Sequence, residues 1–419
     1  MPFMIHVKKQ NIERLFLVIL VFFCIFVVEK KYQEIKQKLT INMKARKILW
    51  VLAATFILGT INMLIACTEQ SDNPVSPGTD ETFSIVTLNV DGLPGYIDAT
   101  PLGMGVLPLN VEGPGEKYTP VISQYLAEKD FDFIAVQEDF DFNAQLDSKL
   151  KEGYNLSDIW GGPLSLEAYL AGVEQPVSQE TILAALEKGT FCLHSDGCRL
   201  YWKKDISGTR VDSVSWKTRF GDVVRPTHMN HANDEMLSKG FRRYEMKLKG
   251  GTELVVYNMH LEASDDETEA TGEDAVDRRS RMVHYRDLRD HIMKHLDKRP
   301  IVIVGDMNSY YERDSVEIQF INEINKSGRA TIGDVWIELE RGGKYPALEE
   351  GVVMQDKGSR GWSRKGQTLD KIFYVNPIDA VRKLKPTSVT IDSVGYVRED
   401  GWTPLGDHSP LSAVFCFVK

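Results

Sequence analysis

Residues 301–308 read Ile-Val-Ile-Val-Gly-Asp-Met-Asn, and this stretch decides the predicted fold. Four β-branched residues in succession predict a strand that is buried on both faces at the centre of a sheet. Beyond Gly305, Asp306 and Asn308 are two residues apart and would project in the same direction into a cleft. A carboxylate and a carboxamide held there could bind a water molecule and a phosphate oxygen. The alternative is an ordinary turn after the strand, since Gly, Asp and Asn are common turn residues.

Polar residues recur at five predicted strand ends and at the start of a sixth strand. They are Asn89, Glu138, Asn258 with His260, Asp306 with Asn308, Asp407 with His408, and Asp370. So many coincidences favour one shared site over a series of separate turns. Carboxylates and carboxamides are oxygen ligands suited to Mg²⁺, with Mn²⁺ or Ca²⁺ as alternatives. Such a metal ion, two histidines and an Asp–Asn pair are the components of metal-assisted hydrolysis of a phosphate ester.

The order of the predicted elements indicates a mixed β core. Residues 241–248 and 254–259 are predicted to form a hairpin that turns at Gly250-Gly251. Other strands are predicted at 83–90, 131–137, 198–202, 211–216, 369–374, 388–392 and 411–417, and helices at 119–129, 140–150, 278–296 and 315–324. Hairpins mixed with intervening helices predict a two-layered β core with helices packed outside.

The N-terminal region has the features of an export signal. Residues 43–66 begin with basic residues, continue with an apolar core and end in small residues, as secretory signal peptides do. The ending Leu-Ile-Ala-Cys resembles the lipobox of bacterial lipoproteins, which implies cleavage before Cys67 and attachment of lipid to it. An uncleaved membrane anchor is the alternative.

These features divide the chain into four parts. Residues 1–42 are interpreted as an over-extended start, because 43–66 already form a complete signal. Residues 67–82 are rich in Ser, Asp, Pro, Gly and Thr and predict a flexible tether. The catalytic domain is expected at 83–419.

The charge of the chain bears on its substrate. The formal net charge is −10, and removal of the basic leader would leave the rest more acidic. Proteins that bind long nucleic acids usually carry a basic surface, so nucleic acid is a less favoured substrate. A local basic groove could still exist within an acidic total.

Cys192 and Cys198 are six residues apart. In an exported protein this spacing suggests a small disulfide loop. A metal site is less favoured there, because only His194 lies nearby and no second cysteine pair exists.

Six segments resemble, in order, the motifs of the endonuclease/exonuclease/phosphatase superfamily. They are 83–95, 134–142, 255–263, 301–308, 368–374 and 405–414. The superfamily includes deoxyribonucleases, abasic-site endonucleases, inositol-phosphate 5-phosphatases and neutral sphingomyelinases. The resemblance implies an α/β fold of four layers, in which two mixed sheets pack face to face between helices and the site lies where the sheets meet.

Within the superfamily, the details are most similar to sphingomyelinases. Asn89-Val90 followed by Leu93-Pro94, Glu138-Asp139-Phe140-Asp141, Lys239-Gly240 and His260-Leu261-Glu262-Ala263 resemble their motifs. Two features depart from the pattern: the insertion at 153–189 has no counterpart, and Glu262 replaces the usual Gln. The resemblance therefore supports the reaction type more strongly than the substrate.

The resemblance also implies roles for the site residues. Glu138 would be the principal metal ligand, aided by Asn89 and Asp407. His408 would be the general base, oriented by Asp370, whose carboxylate favours the protonated imidazole. Asp306 is an alternative base.

The remaining residues are assigned to the substrate by the same resemblance. Asp306 and Asn308 would position the water and the phosphate. His260, supported by Asn258, would stabilise or protonate the leaving oxygen, and Lys239 is expected to contact the substrate.

The predicted function is that of an Mg²⁺-dependent phosphodiesterase that cleaves sphingomyelin, or a related phospholipid, at a membrane surface. We expect an exported monomer, lipid-anchored to a bacterial outer membrane and facing the periplasm or the cell exterior. A nuclease, an inactive binding protein and a phosphoinositide or sugar-phosphate phosphatase are the alternatives. The phosphatase would need a basic cluster such as Arg278, Arg279 and Arg281, which could equally form a solvated helix face.

Overall fold

The computed structural model describes residues 81–93, 96–98, 106–108, 113–160, 195–216, 237, 239–263, 274–311, 315–347, 366–401 and 403–419. All of them lie in one compact unit, Thr79–Lys419. The predicted over-extended start, the signal with Cys67, the tether as far as residue 80, and Cys192 lie outside the described residues. Among the helices of the described ranges, none is long and apolar enough to cross a bilayer.

Strands and helices follow each other as the sequence predicts, with additions. The strands are β1 (Thr82–Asn89), β2 (Tyr96–Asp98), β3 (Val106–Pro108), β4 (Phe133–Gln137), β5 (Tyr154–Leu156), β6 (Arg199–Lys203), β7 (Ser207–Ser215), β8 (Gly240–Lys247), β9 (Glu253–His260), β10 (Ile301–Asp306), β11 (Ala330–Asp334), β12 (Asp370–Pro377), β13 (Lys383–Ile391) and β14 (Leu411–Val418). The helices are α1 (Gly115–Lys129), α2 (Asn143–Gly153), α3 (Asp274–Lys294), α4 (Val316–Lys326) and α5 (Val335–Leu339).

Two six-stranded mixed sheets form the core. The first has the order β13-β14-β1-β4-β6-β5, and the second has the order β11-β12-β10-β9-β8-β7. β1 and β4 are parallel, as are β9 and β10, whereas the other pairs within the two sheets are antiparallel. The predicted fold class is confirmed.

The central strand β10 shows how the layers are built. Val302 and Val304 point inward and pack in a cluster that both sheets share, together with side chains such as Phe83 and Tyr244. Ile301 and Ile303 point outward and pack under α3 and α4. All four residues are buried, as a strand between two apolar layers requires.

The first sheet is covered in the same way. Val86 and Leu88 of β1 pack outward against Ile122 of α1 and Leu146 of α2. Tyr396 joins this cluster and contacts the Tyr125 ring edge-on at 5.2 Å. Tyr396 therefore packs its loop against α1.

Gly305 is required where β10 approaches β9. Its φ is +151°, and a Cβ atom there would lie 1.9 Å from the carbonyl oxygen of Met259. We expect Gly305→Ala to lower the free energy of unfolding by about 3 kcal/mol through backbone strain and overpacking, measured by denaturant unfolding.

Gly251 provides the matched control for this substitution. Its φ is +90°, but nothing lies within 4 Å of an added Cβ. Gly251→Ala should therefore cost only about 1 kcal/mol, the strain of a left-handed backbone alone. Equal losses in the two variants would show that the contact with Met259 is unimportant.

Cys198 has a free thiol that is fully buried. The predicted disulfide with Cys192 is therefore wrong for this structure. Burial raises the pKa of the Cys198 thiol well above its usual value. The thiol lies immediately before β6 in the interior.

Three polar residues of α3 are buried: His284, His291 and Arg281. His284 stacks on Trp216 with ring centroids 4.4 Å apart, and His291 hydrogen-bonds to Tyr257. Arg281 is fully buried, and its guanidinium donates to the carbonyl oxygen of Glu262 at 3.3 Å. Of the predicted basic cluster, only Arg278 and Arg279 are exposed.

Candidate active site

Three neighbouring strands bring His260, Asp306 and Asp370 together. Asp306 ends β10, pairs with His260 of β9 on one side, and pairs with Asp370 of β12 on the other. Directly paired residues project on the same face of a sheet. The pairing of these strands therefore places two carboxylates and an imidazole side by side, although more than a hundred positions separate the first from the last in sequence.

Asn89 connects this group to the first sheet. Its side-chain amide donates to Oε1 of Glu138 at 2.8 Å and to Oδ2 of Asp306 at 3.1 Å. Its carbonyl oxygen accepts from the backbone N–H of Asp91 at 2.9 Å. Asn89 is 2% exposed, so these bonds are made away from solvent and hold the two carboxylates at fixed positions.

Glu138 follows β4 in a left-handed conformation, with φ of +58°. Its carbonyl oxygen accepts from the N–H of Gly92, where any Cβ would lie 2.3 Å from that oxygen. Burial raises the pKa of Glu138 to about 8, because Lys239 and Asn89 offset only part of the desolvation and Asp407 adds negative charge. A carboxylate placed at this cost is a feature of functional sites.

The Oδ2 atom of Asp306 lies close to the imidazoles of both histidines of the site. Oδ2 lies 3.5 Å from Nε2 of His260 and 3.6 Å from Nε2 of His408. Burial alone would raise the pKa of Asp306, but His408 and His260 hold it below its usual value. Asp306 is therefore an ionised carboxylate between two imidazoles.

Asn308 lies at the mouth of the site with φ of +45°. Its backbone N–H donates to Oδ1 of Asp306 at 2.9 Å. Its side-chain amide donates to the carbonyl oxygen of Leu261 at 3.2 Å and lies 3.3 Å from Nε2 of His260. The turn predicted as the alternative is present, and it aims Asn308 into the site.

His408 and Asp370 form a buried dyad. Nδ1 of His408 lies 2.5 Å from Oδ2 of Asp370. Burial by itself would lower the pKa of His408, but Asp370, Asp306 and Asp407 raise it well above its usual value. The dyad leaves Nε2 of His408 directed at Asp306 and the centre of the site.

His260 has the opposite character. Burial lowers its pKa well below the usual value, and Lys239 adds to this effect. Its Nε2 atom lies 3.7 Å from Oε1 of Glu138. The site without a cation thus contains one imidazole biased towards the neutral form and one biased towards the charged form.

The residues present fit a divalent cation. One ligand atom from each of Glu138, His260 and Asp306 lies within 4.8 Å of the others. Oδ1 of Asp407 is buried and has no hydrogen-bond partner among the described residues, as expected for an oxygen that binds an ion. Oxygen donors in excess over imidazole favour a hard cation of the Mg²⁺, Mn²⁺ or Ca²⁺ class.

The raised pKa of Glu138 makes metal affinity depend on pH. With a pKa of about 8, Glu138 is mostly protonated at neutral pH in the metal-free protein. A metal ion needs the carboxylate, so its apparent affinity should fall about tenfold for each pH unit below 8. Calorimetric Mg²⁺ titrations in buffers of different ionisation enthalpy should show release of a proton on binding.

Glu138→Gln is the matched control for this effect. It retains the shape and the contact with Asn89 but cannot release a proton. The variant should bind Mg²⁺ more weakly, with little dependence on pH. An equal pH dependence in both proteins would place the titrating group elsewhere.

Two predicted site residues have contacts that differ from their expected roles. Asn258 is fully buried and links the two sheets: its amide donates to the carbonyl oxygens of Val136 and Arg199, and its oxygen accepts from Gln137 at 2.7 Å. Asn258 therefore supports His260 through the sheets and not by contact with substrate. Lys239 is 3% exposed, and its Nζ donates to the carbonyl oxygen of Leu261 at 3.4 Å.

Several positioning residues are missing from the predicted site. The indole N–H of Trp216 donates to the carbonyl oxygen of His260 at 2.9 Å. The buried ion pair of Arg242 with Asp196 holds the segment in which Gly197 packs on Glu138. Charged residues inside otherwise apolar strands, such as Arg242 in β8, are the sequence signal that could have identified them.

The sequence was compared with protein families and with curated proteins. No protein-family model matches the chain. Sphingomyelinases of Mycobacterium bovis and Mycobacterium tuberculosis are 24% identical to it over 201 residues, which cover 46% of this chain and 34% of the relative. The matched region thus spans about a third of the length of those relatives.

Three of the solved structures that resemble this chain are described here by their similarity to it. D. rerio TDP2 complexed with a single-strand DNA product has a TM-score of 0.47 and 15% identity, covering 80% of this chain and 99% of that chain. An endonuclease/exonuclease/phosphatase family protein of Bacteroides thetaiotaomicron has a TM-score of 0.47 and 14% identity, with coverage of 81% and 99%. The beta toxin of Staphylococcus aureus has a TM-score of 0.46 and 18% identity, with coverage of 79% and 99%.

These relatives agree with the motifs found in the sequence. The curated relatives are sphingomyelinases, the group whose motifs the sequence resembles in most detail. The predicted resemblance to sphingomyelinases is confirmed by these curated relatives.

Proposed function

We propose that this protein is a metal-dependent phosphodiesterase that hydrolyses a phosphate ester by attack of water. The observation that carries the proposal is the His408–Asp370 dyad, whose free imidazole nitrogen lies 3.6 Å from Asp306 in a site that also holds Glu138. This arrangement combines a positioned proton acceptor, a second imidazole and an acidic centre that fits a divalent cation. Among the described residues, the groups that meet at this centre are imidazoles, carboxylates and amides, which suit direct attack by water.

His408 is the proposed general base. Asp370 accepts a hydrogen bond from Nδ1–H of His408 and thereby fixes the tautomer in which Nε2 can take a proton from water. Asp306 is the weaker candidate, because its pKa is held below the usual value by the two imidazoles. Its proposed role is to orient the water and to stabilise the imidazolium that forms on His408.

His260 and Asn308 are proposed to act at the leaving group and the phosphate. Nε2 of His260 and the amide of Asn308 lie 3.3 Å apart, so one phosphate group can contact both. Bound at Glu138, Asn89 and Asp407, a divalent cation would neutralise charge on the phosphate and favour the neutral form of His408. Mg²⁺ is the proposed ion, with Mn²⁺ or Ca²⁺ as alternatives.

Sphingomyelin is the proposed substrate. The support is the similarity to mycobacterial sphingomyelinases over 201 residues and the motif details at Glu138 and His260. The products would be ceramide and phosphocholine. We further propose that the protein is exported and attached by lipid at Cys67, which would place the site close to a membrane that contains the substrate.

The test compares two substrates under one set of conditions. The chain is stripped of metal, and hydrolysis of sphingomyelin liposomes and of plasmid DNA is followed with and without Mg²⁺. The expected result is release of phosphocholine that requires Mg²⁺ and is lost in His408→Ala.

Each other outcome has a defined meaning. Nicking of DNA without release of phosphocholine would refute the substrate and indicate a nuclease. Cleavage of simple aryl phosphodiesters alone would support the chemistry and reject sphingomyelin. Inactivity on all three substrates would refute the proposed hydrolase.

A further inference from the structure

We propose a second metal site, distinct from the catalytic centre, at Asp212, His291 and His295. One ligand atom from each of the three lies within 4.8 Å of the others, and none of the three belongs to the acidic centre described above. The ion that this set would take is Zn²⁺ or a similar borderline transition metal. Its position would join the edge strand β7 to the end of α3.

The two histidines are placed by helix geometry. They are four residues apart, so their side chains lie on one face. The backbone N–H of His295 still donates to the carbonyl oxygen of His291 at 3.1 Å, which continues the helical turn to this position. The ring centroids are 4.5 Å apart, close enough for both imidazoles to bind one ion.

Asp212 is directed to the helix by a β-bulge. Arg210 pairs with Tyr244, whereas Asp212 pairs with Arg243, so the register shifts by one residue at Val211. Tyr244 belongs to the core between the sheets, and Arg243 pairs with Tyr257 on the side that α3 covers. Without the bulge, Asp212 would follow Arg210 and face away from α3.

His291 has the outer contact that metal-binding histidines usually have. Its Nε2 lies 2.7 Å from Oδ2 of Asp212, and its Nδ1 lies 3.1 Å from the hydroxyl oxygen of Tyr257. When Nε2 binds the ion, Nδ1–H can donate to Tyr257, which fixes the ring and its tautomer. The ion would replace the proton that Nε2 and Asp212 now share.

The surroundings allow an ion to enter and be held. His295 is exposed and the Asp212 side chain is 41% exposed, whereas His291 is buried. The positive charge of Arg243 near His291 opposes a cation, but Arg243 is paired with Glu245 at 2.9 Å. Two imidazoles and one carboxylate favour Zn²⁺ over Mg²⁺, in contrast to the oxygen-rich catalytic centre.

The test uses the full chain in excess Mg²⁺, which occupies the acidic centre. Zn²⁺ is titrated by calorimetry, and Co²⁺ is titrated by its visible absorption. His295→Ala should weaken binding of this ion about 100-fold, and Tyr257→Phe should weaken it about 10-fold. Lys294→Ala, an exposed neighbour without a ligand atom, should bind as the wild type does.

The outcomes are independent of the proposed hydrolase. His295 takes no part in the catalytic site, so His295→Ala should retain Mg²⁺-dependent hydrolysis while losing one equivalent of bound Zn²⁺. Equal Zn²⁺ and Co²⁺ binding in the wild type and His295→Ala would overturn the proposal. So would complete displacement of Zn²⁺ by Mg²⁺, which would assign all binding to the acidic centre.

Discussion

Asp370→Asn is expected to lower the turnover number about 100-fold, and His408→Ala about 1000-fold. Asp370 is fully buried, and its Oδ2 lies 2.5 Å from Nδ1 of His408. The asparagine variant keeps the volume but removes the charge that stabilises the imidazolium. His408→Ala removes the base itself, so only the remaining positioning and electrostatic effects accelerate the reaction.

The pH profile distinguishes a catalytic role from a structural one. Asp370 raises the pKa of His408 against the effect of burial, so its removal should lower that pKa. If His408 acts as the base, the acidic limb of the kcat/KM profile should move to lower pH in Asp370→Asn. A merely destabilised protein would lose activity without moving the limb.

Asp379 provides a control on the same segment of chain. It follows β12 and is exposed, so Asp379→Asn removes one charge without touching the dyad. This variant should retain the wild-type rate and pH profile. A limb that stays in place in Asp370→Asn while Asp306→Asn abolishes activity would transfer the role of base to Asp306.

The strand ends could be predicted because their chemistry is local. The four β-branched residues before Gly305 are removed from water only if the strand lies between two apolar layers, so β10 and the position of Asp306 follow from the sequence. The same applies to Asn89, which ends β1, and to Glu138, which directly follows β4. These positions depend on short-range preference and burial, which a single sequence records.

The pairing of strands that are distant in the sequence is harder to predict from the sequence. That Asp306 pairs with both His260 and Asp370 depends on the register of three strands, and a shift by one residue would reverse every side chain. The sequence suggests only that these residues share a site. The structure adds that Asn258 connects the sheets, because both its amide hydrogens and its oxygen are used across the interface.

Mixed patterns account for the missed elements. Residues 330–339 form β11 and α5 without a break, and Asp334 ends the strand and caps the helix by accepting from Ile337 N–H. No glycine or proline lies between the last residue of β11 and the first residue of α5 to mark the boundary. Each element has only five residues, which is too few to show the strand or helix periodicity of apolar residues. The burial of His284 and His291 is a separate case: polar residues on an amphipathic helix usually indicate exposure, but these two pack against Trp216 and Tyr257.

The second large effect is expected at the ion pair of Arg242 and Asp196. The pair has two contacts, Nη2 to Oδ1 at 2.5 Å and Nε to Oδ2 at 2.7 Å. The side chains are 1% and 0% exposed. The pKa of Asp196 is nevertheless raised, because burial outweighs the attraction of Arg242.

Asp196→Ala should therefore lower the free energy of unfolding by about 4 kcal/mol, because it leaves the Arg242 charge buried and unpaired. Denaturant unfolding gives the value. Arg210→Ala is the control, since the Arg210–Asp158 pair is partly exposed and should contribute at most about 1 kcal/mol. Equal losses would mean that burial does not determine the effect.

The double variant Arg242→Met/Asp196→Leu separates stability from function. Apolar replacements of similar volume often restore or exceed the stability of a buried pair, so this variant should recover most of the about 4 kcal/mol. Gly197 is next to Asp196, and a Cβ atom added to it would lie 3.0 Å from Cα of Glu138. The carbonyl oxygen of Gly197 accepts a hydrogen bond from the N–H of Asp139 at 3.0 Å. If the pair also positions Glu138, the double variant should be stable and yet bind Mg²⁺ more weakly. Wild-type Mg²⁺ affinity in a stable double variant would show that the pair serves the fold alone.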